Sequence, residues 1–151
     1  MPSASYSFSV RCDPAGQPRA RWSRKTQKFW TPKTADNFKG AIEAAAIEAG
    51  LLNKLLEGPI KLSAVFRFPR PQSHFRSGKN SHLLKDNAPR LHTKKPDLDN
   101  VIKATKDALS DIRAWRDDCQ VCQYGEPKKL YVDGLEAPVS DLTIELLEDV
   151  R

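Results

Sequence analysis

Two aspartates one residue apart, Asp97 and Asp99, are followed by Lys103 and then, after a helix-length interval, by a second acidic pair, Asp117 and Asp118. In extended chain an i, i+2 spacing turns both carboxylates of the first pair to one side. In a helix that begins there, Lys103 lies one turn beyond Asp99 and its ammonium reaches the same pocket. A third carboxylate from Asp117 or Asp118 would complete a set of hard oxygen donors. That set suits Mg²⁺, which keeps several waters and takes one or a few carboxylates together with phosphate oxygens. Without a cation, carboxylates so gathered repel one another. The same residues also admit a purely structural account. In it Asp97 or Asp99 caps a helix, Asp99 and Lys103 form an exposed ion pair worth ~0.3–0.5 kcal/mol, and Asp117-Asp118 is a turn.

The distribution of charge favours the chemical account. The net charge is +6 over 151 residues, but it is segregated. Residues 11–39 carry eight Lys/Arg against two acids, and residues 69–95 carry seven against one. From residue 96 onward there are seven Lys/Arg and thirteen acids. A chain that needed only solubility would intersperse its charges. Basic flanks around an acidic centre imply a polyanion held by one part and a cation held by the other. Arg19, Arg21, Arg24, Lys25, Lys94 and Lys95 are the candidate phosphate contacts, which position nucleic acid without reading its sequence.

The elements that must position these groups are legible in outline. Tyr6 to Val10 alternates as a half-buried strand. Arg19–Ser23 and Lys28–Thr31 flank a polar turn as a hairpin, with Trp22, Phe29 and Trp30 expected as core or sheet-face residues rather than base-stacking platforms. Thr31-Pro32 reads as the start of a helix in which Phe38, Ala41, Ile42, Ala45 and Ala49 keep helical spacing to Gly50. Gly58-Pro59 breaks the chain before a core strand at Ile60–Phe68. Val101, Ile102, Thr105, Ala108 and Leu109 form the buried stripe of a second helix, with Asp97 or Asp99 at its cap. Ala114–Val121, Lys128–Val132 and Val139–Leu146 are expected strands. Residues 69–95 show no sustained period, and their seven basic residues suggest a loop that orders on nucleic acid, the alternative being a disordered insertion.

Length and composition bound the class. At 151 residues, with 39% hydrophobic and 29% charged residues, the chain is sized for one globular domain spanning 1–151. No apolar run approaches the ~20 residues of a membrane span, and the first residues lack the basic start and apolar core of a secretory signal. A cytoplasmic location is expected. Cys12, Cys119 and Cys122 are too few for a disulfide framework. The Cys119–Cys122 spacing has no second pair to complete a zinc site.

The run Lys95-Pro96-Asp97-Leu98-Asp99-Asn100-Val101-Ile102-Lys103, with Asp107-Ala108-Leu109 and then Asp117-Asp118-Cys119-Gln120-Val121, resembles the signature of the RusA family of Holliday junction resolvases. The likeness extends more loosely to the basic hairpin, its trailing helix and the strand at residues 60–68. It implies an α+β fold with a small mixed sheet packed against two main helices, and a homodimer. It also implies a Mg²⁺-dependent endonuclease, with Mn²⁺ as a substitute, of bacteria and prophages that nicks two strands of a four-way DNA junction symmetrically in recombination and repair. By the same likeness Asp97, Asp99 and Asp118 are the metal-binding carboxylates and Lys103 the catalytic lysine, with Asp117 the fallback for Asp118. Two departures stand out. Ser110–Ala114 lacks the glycine frequent before the acidic pair, and Gly125-Glu126-Pro127 intrudes just before Lys128, the match in spacing to a family lysine. Proline cannot donate to a sheet ladder, so that point must be an edge, bulge or turn. Two rival functions remain, a nuclease for other branched DNA and a non-catalytic DNA-binding module.

Overall fold

The computed structural model describes residues 4–149; the single-domain reading of 1–151 also takes in residues 1–3 and 150–151, which lie outside the described residues. Among the described residues six strands and two helices follow one another: β1 (Ser5–Val10), β2 (Arg21–Ser23), β3 (Lys28–Trp30), α1 (Asp36–Glu48), β4 (Ile60–Phe68), α2 (Leu98–Asp111), β5 (Val121–Tyr131) and β6 (Ser140–Leu146). The main sheet has the order β1-β6-β4-β5. Its β4–β5 pair is parallel and the others are antiparallel, which makes the sheet mixed, as expected. A parallel pair needs a crossover connection, and α2 lies in the segment that makes it. No helix is long and apolar enough to cross a membrane among the described residues.

Strict alternation in β4 gives the sheet two unlike faces. Ile60, Leu62, Ala64, Phe66 and Phe68 are buried, in one cluster with Leu142 and Ile144 of β6, Phe38, Ile42 and Ala46 of α1, and the apolar stripe of α2. The opposite face is polar. There the Ser7 and Thr143 hydroxyls lie 2.9 Å apart, and Ser9 and Arg67 each donate to the Asp141 carboxylate at 2.7 Å. Separate from this sheet, β2 and β3 form a two-stranded ribbon. Trp22, Phe29 and Trp30 lie on the faces of that ribbon and are exposed, so of the two expected positions, core or sheet face, they do not take the core.

Helix α1 starts at Asp36 rather than at Thr31-Pro32, and Ala35 occupies its cap without a side-chain hydrogen bond. Its other end follows the sequence. Gly50 adopts φ +91°, and the amides of Gly50 and Leu51 close back on the carbonyls of Ile47 and Ala46. The expected strand at Ala114–Val121 is absent. Helix α2 instead ends in a left-handed residue, Arg113 (φ +58°), and Ala114 donates back to the Leu109 carbonyl. Arginine thus takes a conformation that glycine adopts more easily, at a local cost of about 1–2 kcal/mol. Strand β5 then runs unbroken through Gly125-Glu126-Pro127. The proline is accommodated at the sheet edge by a register shift, since Ser63 pairs with Gly125 but Val65 pairs with Lys128.

Residues 69–95, in which no sustained period is legible, have internal contacts of their own. Arg70 donates to the carbonyls of Val132 and Pro89 at 2.6 Å each, Arg76 pairs with Asp86 at 2.9 Å, and Phe75 and His92 are buried. The amides of His92 and Tyr131 exchange bonds with Lys129 and Arg90 along β5. Part of the basic charge of this segment therefore holds the segment itself together, and that use was hidden in its composition.

The Ser9 hydroxyl and the Arg67 guanidinium hold the Asp141 carboxyl below the ordinary aspartate range. A carboxyl depressed in the folded state stabilises above its unfolded pKa, near 3.8, and that stabilisation is lost as pH falls through the lower folded value. With Asp141 half exposed, Asp141→Asn is expected to cost no more than about 1 kcal/mol at pH 7. The difference from wild type should shrink below pH 4, as read by urea unfolding across pH.

Candidate active site

Helix α2 presents candidate site residues on the face its core contacts leave free. Val101, Ile102, Ala104, Thr105, Ala108 and Leu109 are buried, and the Thr105 hydroxyl donates to the Val101 carbonyl at 3.0 Å, so no polar group is stranded in the core. With that stripe inward, Asp99, Lys103, Lys106 and Asp107 line a groove of about 740 Å³. Arg19, Asp118 and Tyr124 line it too. An adjoining groove of about 660 Å³ holds Asp97, Lys95 and Arg21, and the two share Gln17, Pro18, Arg19 and Asn100. Asp99, Lys103 and Asp118 are thus brought together. Asp97 stands at the start of α2 along the neighbouring groove.

The purely structural account of these aspartates departs from the structure at two points and holds for Asp117, which caps a turn. Asp97 is the N-cap residue of α2, yet its side chain makes no capping hydrogen bond. Asp99 and Lys103 do not form an ion pair; the pairs present among the described residues are Lys39–Asp111, Arg67–Asp141, Arg76–Asp86 and Glu57–Arg116. In the second acidic pair the work is divided. Asp117 accepts from the Cys119 amide at 2.9 Å in a capping box closed by Gln120, and those bonds hold its carboxyl below the ordinary range. Asp118, the next residue, lines the groove. Gln120 fixes the turn: its oxygen accepts from the amides of Arg116 and Asp117 at 2.8 Å, and its nitrogen donates to the carbonyls of Leu56 and Gly58 at 2.8 and 3.0 Å.

The entrance to α2 is held from two sides. Gly16 packs so closely that a Cβ there would lie 2.8 Å from Pro96 Cβ and 3.1 Å from Asn100 Cβ, and the Gln17 amide donates to the Asn100 carbonyl at 2.9 Å. From the sheet, the Lys129 ammonium donates to the carbonyls of Lys94 and Pro96 at 2.6 Å each. Burial lowers the Lys129 pKa, and the Asp97 carboxylate opposes that shift. The lysine turned toward the site is thus Lys129, whereas Lys128, which matched in spacing, is exposed. The bulge before it changes which side chain faces inward.

Among the candidate phosphate contacts, Arg19, Arg21 and Lys95 line the grooves. Arg24 and Lys25 lie in the exposed turn of the ribbon, and Lys94 is exposed beside the entrance. No three His, Cys, Asp or Glu side chains are grouped closely enough to hold a metal ion among the described residues. Cys119 and Cys122 are free, exposed thiols.

Acids and cations interleave along one open groove next to a basic ribbon, and that arrangement suits a phosphodiester backbone. The description "Endodeoxyribonuclease RusA" matches residues 12–136, most of the chain. The chain belongs to the RusA endodeoxyribonuclease family. It is therefore an endodeoxyribonuclease of the Holliday junction resolvase class. It is also similar to the uncharacterized protein YqaN of Bacillus subtilis (strain 168), with 30% identity over 116 residues that cover 76% of this chain and 80% of YqaN.

Beyond Asp99, Lys103, Asp107 and Asp118 of the family signature, the RusA groove recruits Gln17, Lys106 and Tyr124 from its walls. Lys106 had a signal in the sequence, because it follows Asp99 and Lys103 at helical spacing. Lys129 had none, since the bulge that aims it depends on the pairing of β5. Lys129→Met, which keeps the chain length but abandons two carbonyls, should loosen the approach to Asp97. Single-turnover cleavage is expected to fall roughly 10- to 100-fold, with junction binding changed by less than about twofold.

Proposed function

We propose that this endonuclease resolves four-way junctions by paired symmetric nicks, acting as a homodimer that uses Mg²⁺, or Mn²⁺ in its place. The observation that carries the reading is the meeting of Asp99, Lys103 and Asp118 in one groove flanked by Arg19, with Asp97 uncapped beside it. The donor chemistry fits such an ion: Asp99 and Asp118 offer carboxylate oxygens, Asp97 a third set next door, and Gln17 Oε1 is buried without a hydrogen-bond partner at the edge of both grooves. Bound there, Mg²⁺ would supply Lewis-acid activation of water and charge stabilisation at the phosphate.

The protein's own contributions follow from position. Arg19, Arg21 and Lys95 hold the DNA backbone along the grooves, which orients it without reading bases. Lys103 stands one turn from Asp99 on the same wall, where its ammonium neutralises charge that develops on the phosphate oxygens. Asp99 and Asp118 would hold the metal with Asp97 beside them, the three not being grouped as a closed ligand set among the described residues, and Asp117 caps the turn from which Asp118 faces the groove. A four-way junction presents two equivalent strands, and a two-fold dimer offers two equivalent sites to match them.

Asp99→Asn and Asp118→Asn remove charge with little change of shape. Each should lower nicking of a synthetic four-way junction by at least about 10²-fold at saturating Mg²⁺, while junction binding persists. Near-normal cleavage by either variant removes that residue from the site. Equal nicking of linear duplex, three-way and four-way DNA by the wild type would favour a less selective nuclease.

A further inference from the structure

The β2–β3 ribbon leaves in water apolar surface that the fold does not use. Trp22 is 53% exposed, Phe29 72% and Trp30 49%, whereas Trp115 in the core is 1% exposed. Strand register places Trp22 opposite Phe29, and their rings meet edge to face with centroids 5.1 Å apart. Arg21 pairs with Trp30 in the adjacent register position, so it points to the other side of the ribbon, and there it lines the groove that holds Asp97. The ribbon therefore has one face, with Arg21 and Trp30, on the DNA-binding groove and a second face, with Trp22 and Phe29, beyond it.

Charge narrows what this second face can meet. From Pro14 to Ala35 the chain has six Lys/Arg and no acid. A second copy of the same ribbon would bring like charges together, and an ordinary apolar protein surface would leave these cations unpaired. A partner that supplies both phosphates and flat π faces satisfies both requirements. Nucleobases meet that description only where they are unpaired or unstacked, because a continuous duplex hides its base faces within the stack. Base–aromatic stacking is worth about 1–3 kcal/mol per base.

We propose that the Trp22–Phe29 pair is a stacking platform for bases unstacked at the branch point of the DNA, while Arg21 on the reverse face holds a phosphate in the groove. This inference rests on the reading of the chain as a branched-DNA endonuclease and supplies a basis for its selectivity. Phosphate contacts alone do not distinguish a branch from a duplex; an exposed aromatic ledge beside the cleavage groove does.

The test uses two synthetic four-way junctions, identical except that one carries abasic sites at the nucleotides flanking the branch, with binding measured in EDTA so that neither is cut. Phe29→Leu keeps apolar bulk and strand pairing but removes the π face. It should weaken binding to the intact junction by about 10-fold or more and leave binding to the abasic junction unchanged. Phe29→Tyr, which keeps a ring, should bind the intact junction as wild type does. Equal weakening on both junctions, no weakening on either, the same loss with Phe29→Tyr, or a change of oligomeric state in Phe29→Leu overturns the proposal. Wild-type cleavage of the intact junction with Mg²⁺ is measured alongside. If the wild type cleaves and the base dependence is missing, the stacking platform alone is wrong; if the wild type neither binds nor cleaves the junction selectively, the underlying reading falls and the platform with it.

Discussion

The rotational setting of α2 against the sheet is the constraint on which the site depends. Val101, Ile102 and Leu109 are almost wholly buried, and burial of each stabilises by about 1.5–3 kcal/mol, an upper figure for a chain already partly collapsed when unfolded. An exposed Asp–Lys pair one turn apart offers ~0.3–0.5 kcal/mol. Packing therefore decides which way the helix faces, and charge does not. With the apolar stripe fixed inward, Asp99, Lys103, Lys106 and Asp107 have only the groove to face. Rotation about the helix axis would bury charge and expose apolar surface together.

Two other regions are brought to that helix by bonds of their own. The Asp117-Asp118 turn is tied through Gln120 to the carbonyls of Leu56 and Gly58, just before β4. The approach to Asp97 is tied through Lys129 to β5 and through Gly16 and Gln17 to the segment leading into the ribbon. The acidic centre and its basic flank thus meet through backbone carbonyls and a close glycine contact, and opposite charge at the groove is a result of that meeting. Separate structural and chemical tasks fall to neighbours of the same residue type: Asp117 caps while Asp118 faces the groove, and Lys129 anchors while Lys103 faces it.

Much of this was legible in the chain. Alternation located β1, β4 and β6, helical spacing located the stripe of α2, and the i, i+2 aspartates with the later acidic pair pointed to the grooves that the proposed site occupies. What sequence could not supply was tertiary in origin. The strand expected at Ala114–Val121 read as apolar and extended, but Trp115 is buried at the end of α2 with its indole N–H donating to Ser110 Oγ at 2.8 Å, and the chain turns there. In the basic segment at residues 69–95, composition shows charge but not that Arg70 spends its guanidinium on two carbonyls. For the aromatic ribbon the ordinary habit of tryptophan and phenylalanine favours a core or sheet-face position, and sequence alone does not choose between the two. Its exposure is the departure that points to a partner.

The central claim is that Asp99 and Asp118, joined by Asp97, make one ion-binding site in the groove beside Lys103. The most direct measurement is an anomalous difference map from crystals of the protein grown with Mn²⁺ and a junction DNA. The account predicts a Mn²⁺ peak in bonding contact with carboxylate oxygens of Asp99 and Asp118, at roughly the 2.0–2.2 Å expected of a small hard cation, and next to a DNA phosphate. Mn²⁺ bound only away from these carboxylates, at concentrations that support cleavage, would contradict it.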